Sequence, residues 1–78
     1  MTVHNLKTLP PFFEAVADGS KTFEVRRYDR NFQAGDFAIL REWTNGSYTG
    51  RWIRKKITYV LSDPAFGTQP GFAVLALA

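Results

Sequence analysis

The stretch GSKTFEVRR, residues 19–27, sets a lysine, a glutamate and two arginines directly after a glycine and a serine. The ammonium of Lys21, beside the backbone N–H groups of a turn, can meet a phosphate or another anion. Glu24 and Arg26 are two residues apart, so on a strand they share a face. There they can pair with each other, which is worth little at a surface. Alternatively, Glu24 can accept a hydrogen bond from the exocyclic amine of a base, as carboxylates do from cytosine N4, while Arg26 takes a phosphate or a carbonyl edge. Ser20, Lys21, Thr22, Glu24, Arg26 and Arg27 are the candidate binding residues of this segment. The bland alternative is a charged strand edge that discourages pairing with other chains.

A second basic group, Arg51, Arg54, Lys55 and Lys56, carries no interrupting acid. Arg54 and Lys56 are candidate phosphate contacts, and a solvated strand edge is the alternative. Trp52 can stack on a base, although it and Trp43 fit a core position first. Tyr28 and Tyr48 fall in or near expected loops, which makes them the candidate exposed rings. A net charge of +3 and a pI near 9.6 suit a polyanionic partner such as nucleic acid. If the fold gathers both basic groups, they form one face.

The catalytic inventory is short. His4 is the single histidine and the chain has no cysteine, so neither a thiolate metal site nor a disulfide framework is available. His4 reads as a strand residue hydrogen-bonded locally. Ser20 adjoins Lys21, but neighbouring side chains rarely aim at one another. No phosphate-cradling or dinucleotide-binding glycine motif occurs, and no cofactor or metal is expected.

The elements that must position these residues are short. VHNLKTL reads as a short first strand. PPFFEAVADG reads as one helix of about two turns, with prolines in its first turn, Phe12 and Val16 on one face, and Gly19 as the stop. TFEVRRY alternates with period two, which points Phe23 and Val25 into the core and Thr22, Glu24 and Arg26 the other way. FAILREW reads as a strand buried on both sides over its first half, NGSYTG as a hairpin turn, and GFAVLAL as a last apolar strand. RWIRKKITYVLS is strand-like, but Ile57, Tyr59 and Leu61 share a face with Lys55, and a bulge near Arg54 to Lys56 repairs the pattern. SDPAFGTQPG reads as a loop.

A chain of 78 residues is one domain, 1–78, with a small core. Aromatic residues make up 15% of it, enough for a few rings to supply much of that core. No apolar run is long enough to cross a bilayer and MTVHNLK is not a signal sequence, so the expectation is a cytoplasmic protein with no membrane partner. Five strands and one early helix indicate an α+β domain whose sheet curls into a small barrel, which removes exposed edges.

The combination G-x-K-T-x-E-x-R, F-x-x-G-D and L-R-E-W, with GSYTGRWIRKKITYVL and GFAVLAL after it, resembles the DUF3850 family, a branch of the ASCH group in the PUA-like superfamily. The resemblance implies a PUA-like, ASCH-type β-barrel with a helix between its first strands. It also implies a cleft lined by the Gly-Ser-Lys loop and the next strand, and a role in binding RNA or a modified nucleoside. Some similar proteins hydrolyse the amide of acetylated cytidine with Lys, Thr three residues on, and Arg. Lys21 and Arg26 match that pattern, and Glu24 stands at the Thr position. The enzymatic alternative is therefore an amidohydrolase of N-acylated nucleosides using Lys21 and Glu24. A third reading is a small protein-interaction domain of phage or mobile-element origin.

Overall fold

The computed structural model describes residues 1–62 and 67–78. The loop expected over residues 62–71 lies in part outside these described residues, at 63–66. The chain runs β1 (Val3–Thr8), α1 (Pro10–Ala17), β2 (Phe23–Arg27), β3 (Phe37–Thr44), β4 (Ser47–Leu61) and β5 (Phe72–Leu77). The strands form one mixed sheet in the order β1-β3-β4-β5-β2, with β1 parallel to β3 and the other neighbours antiparallel. Among the described residues no backbone ladder joins β1 to β2, so the sheet is curled and open, with these two strands as its edges.

Local chemistry accounts for the elements. Pro10 and Pro11 start α1 where their missing N–H groups have no helical partner to lose. The helix ends at Asp18 because Gly19 takes a φ of 85°, a left-handed conformation that glycine adopts without a steric penalty. Its buried residues are Phe13 and Val16, one turn apart, whereas Phe12 faces out; the sequence pattern Phe12–Val16 named the wrong phenylalanine. β3 and β4 meet through Asn45 and Gly46, both with positive φ, which is the two-residue turn whose twist matches the flanking strands.

The core lies on the inner face of the sheet and under the helix, where Leu6, Val16, Phe32, Ala38, Leu40, Ile57, Ala73 and Leu75 are buried together. β3 buries Ala38, Leu40 and Glu42 and leaves its other side half-buried, so it is covered fully on one face. The bulge that the sequence requires in β4 sits at Thr58, between the pairs Ile57–Leu77 and Tyr59–Ala76, two residues beyond Lys56. It switches the inward positions from Ile53 and Ile57 to Val60, and Tyr59 and Leu61 turn to the outer face. A second register shift, between Arg41 and Trp43, falls opposite Gly50 with its φ of 95°.

Candidate functional site

The two edge strands face one another across a cleft. Its floor is Glu24, which points inward from β2 and is 4% exposed. Lys21 reaches it from the loop after α1, with Nζ 2.5 Å from Oε1 and 2.7 Å from the Phe23 carbonyl. Arg26, two residues along the same face, donates from Nε to Oε2 at 2.9 Å. The far end of that guanidinium donates to the carbonyl of Lys7 on β1, and Arg30 reaches the Asn5 carbonyl at 3.4 Å. Guanidinium groups thus span the opening between edges that the backbone leaves unpaired. A carboxylate removed from water is costly unless paired and hydrogen-bonded; here both oxygens are bonded to cations, and the trio carries one net positive charge.

Around this floor lies a cavity of about 810 Å³, lined by Lys7, Thr8, Leu9, Phe12, Ala15, Ser20, Lys21, Phe23, Glu24, Val25, Arg26 and Arg27. The ammonium of Lys21 stands 5.8 Å from the Phe12 ring centre and 5.0 Å from that of Phe23, so two rings flank it. Apolar walls around a few convergent polar groups are the usual makeup of a small-ligand site. The loop carrying Lys21 is held from below: its N–H donates to the Ala15 carbonyl, and Ser20 donates from Oγ to Asp18 at 2.6 Å and from N at 2.8 Å. Those two bonds hold the Asp18 carboxyl below the usual carboxylate value, the side-chain bond being the larger cause.

Lys21, Glu24 and Arg26 therefore converge, but the faces of β2 are the reverse of the expectation. Phe23 and Val25 are 45% and 54% exposed, and the polar face is the inner one. Period two says which residues share a face, not which face is inside; here the inward charge is compensated, and Phe23 and Val25 continue the outer surface of β5 beside Ala76 and Val74. Ser20 and Arg27 line the cleft, whereas Thr22 does not, its carbonyl accepting the Leu77 N–H. Arg54 and Lys56 are far along β4, opposite Ile39 and Phe37, so the two basic groups do not merge. Trp52 is exposed on the outer face, and Trp43 is half-buried there between the Lys7 ammonium and the Tyr48 ring, so neither belongs to the core. Tyr48 and Tyr28 are both exposed as expected, and Tyr28 also stacks on Phe32.

Two buried polar clusters were not anticipated. His4 is not bonded locally: its Nε2 lies 2.9 Å from Asp36, 32 residues away. Asp36 also accepts the N–H groups of Thr2 and Gln33, and its carboxyl is held below the usual value, first by His4 and then by the Thr2 N–H. Glu42 is buried beside Thr8, accepts the Thr49 hydroxyl at 2.8 Å and lies 3.5 Å from Arg51, which also bridges to Glu14. The signal for both was parity: His4 alternates with Leu6, and Glu42 with Leu40, on inward faces.

The fold and cleft define a small open-sheet α+β domain with a charge-compensated cavity beside its edge strand β2. The chain belongs to the family described as a domain of unknown function, DUF3850, which it matches over residues 3–77. It is 43% identical over 63 residues to an uncharacterized 12.9 kDa protein in the GpA 3' region of Escherichia phage P2. The match covers 78% of this chain and 58% of that relative, so the chain spans little more than half of the phage protein's length. Among the described residues no helix is long and apolar enough to cross a membrane.

Proposed function

We propose that the cleft receives a nucleobase, carried by RNA or by a free modified nucleoside, and that the domain is a nucleic-acid-binding module of the PUA-like, ASCH type. The observation that carries this reading is Glu24, buried at the cleft floor between Lys21 and Arg26. A carboxylate offers about four lone-pair positions and two are used, so Glu24 retains acceptors for an amino or imino N–H. The flanking cations supply donors for a ring carbonyl. A donor and an acceptor side by side complement the edge of a base, and Phe12 and Phe23 offer apolar faces to its ring. Arg27 and Lys7 at the margin suit a phosphate. The inward curl that brings β2 opposite β1 supports kinship with PUA-like barrels.

Calorimetric titration with cytidine, N4-acetylcytidine and a short single-stranded RNA tests the reading. Wild type binds at least one of them, and Glu24→Gln, which keeps shape but loses the charge and an acceptor, binds about tenfold or more weaker. Equal affinity of wild type and a folded Glu24→Gln variant for every ligand sinks the assignment of Glu24 to base recognition. Absence of binding to all three sinks the reading as a whole.

A further inference from the structure

The cleft is not the place where most unpaired positive charge lies. On the outer face of β1, β3 and β4 the register stacks Val3, Phe37 and Lys56 in one row, Asn5, Ile39 and Arg54 in the next, and Lys7, Arg41 and Trp52 in the third, with Trp43 and Tyr48 beyond. Four cations share this face. The only acid in the three strands is Glu42, and it is buried on the other side. Among the described residues none of the four cations makes an ion pair. Instead Lys7 and Arg54 each lie 4.0 Å from the centre of an aromatic ring, those of Trp43 and Phe37, and Arg41 bonds the Asn5 side chain. Beside these charges Trp52, in the row of Lys7 and Arg41, and Tyr48, one pair beyond it, are 57% and 51% exposed.

We propose that this sheet face is a second, separate binding surface, for single-stranded nucleic acid. Cations with no acidic neighbour attract a polyanion. A protein partner of acidic character accounts for the charge but not for exposed rings set among the cations, and a duplex hides the base faces that such rings need. A single strand satisfies both features, with phosphates on Arg54, Lys56 and Arg41 and bases stacked on Trp52 and Tyr48. Arg54 and Lys56, expected to join the cleft residues if the fold gathered both basic groups, belong to this surface, and among the described residues of the face only Lys7 also lines the cleft.

Fluorescence anisotropy with labelled oligouridylate and oligothymidylate, at about 50 mM salt where phosphate contacts are strong, tests this surface through variants of its own residues. Wild type binds single strands more tightly than the matching duplex, and binding quenches tryptophan emission. The Trp52→Ala, Tyr48→Ala double variant binds about fivefold or more weaker, while Trp52→Phe retains affinity. Arg54→Ala with Lys56→Ala lowers the slope of log affinity against log salt by roughly 1.4. The fold-loss in affinity caused by the aromatic double substitution is the same in a Glu24→Gln background as in wild type, so failure of base recognition in the cleft is read separately. The proposal is overturned if wild type binds neither oligonucleotide, if the duplex binds as tightly, or if the double aromatic variant, folded by circular dichroism, binds as wild type does.

Discussion

Arg26 on one edge of the sheet donates a hydrogen bond to the backbone carbonyl of Lys7 on the other, while its Nε holds Glu24. One guanidinium thus joins two edges and neutralises the carboxylate between them. Arginine suits this task because its planar fork carries several donors in fixed directions, which an ammonium does not.

Arg26→Ala is therefore expected to cost stability as well as binding. It leaves Glu24 with one cation and the Lys7 carbonyl without its donor, a loss of about 1–3 kcal/mol. Arg26→Lys restores a cation near Glu24 but not the bridge, and falls in between. Urea melts of the three proteins check the order; identical midpoints would show that the bridge does no structural work.

Lys21→Ala is expected to separate the two roles. Lys21 contacts Glu24 and the Phe23 carbonyl but spans no strands, and Glu24 keeps its bond to Arg26. The fold persists with a loss of about 1 kcal/mol, while affinity for an anionic nucleotide falls more than affinity for the matching nucleoside. Parallel titrations with the two ligands decide it, and equal losses for both argue against a phosphate contact by this residue.

Much of this architecture was legible in the residues, and the departures have physical causes. Strand and helix periods located all six elements, most of them with a glycine or proline at one end, but β4 begins at Ser47, inside the stretch NGSYTG read as the turn. The faces of β2 were inverted because alternation is symmetric: Phe23 and Val25 against Glu24 and Arg26 reads the same with either set inside. Only the tertiary arrangement, with Lys21 folded back and Arg26 held by the Lys7 carbonyl across the cleft, makes a buried Glu24 tolerable. The inconsistent parity of β4 did announce a bulge, but its position at Thr58 depends on register with β5, which local sequence does not contain. The His4–Asp36 pair joins residues 32 apart and has no local signature beyond parity.

That pair supplies a pH prediction. The Asp36 carboxyl lies below its usual 3.8 in the folded protein, chiefly through His4 and the Thr2 N–H. A carboxylate depressed by folding contributes stability that is fully present above the unfolded value and lost as pH falls through the folded one. Asp36→Asn, which keeps size but loses the charge and one acceptor, is expected to melt below wild type at neutral pH. The gap should be present above 3.8 and shrink as pH falls below it. Thermal melts across that range test it, and a gap that stays constant down to acid denaturation removes Asp36 as the source.

The last prediction concerns turnover. Hydrolysis of an N-acylated nucleoside needs a nucleophile aligned with a base, and donors for the developing oxyanion. The Thr8 hydroxyl lies in the cleft but donates to the Leu6 carbonyl at 3.3 Å, and the Ser20 hydroxyl donates to Asp18. Thr22 is outside the lining. Glu24 faces the cleft, but both of its oxygens are already bonded, one to Lys21 and one to Arg26. Lys21 and Arg26 do supply donors for an oxyanion, so the cleft has half of what an amidohydrolase requires. We expect purified protein to release no cytidine from N4-acetylcytidine above the uncatalysed rate. Glu24→Thr, which places a hydroxyl beside Lys21, is the variant expected to gain activity first. Robust turnover by wild type that disappears in Glu24→Gln would make Glu24 a catalytic base and replace the recognition reading with an enzymatic one.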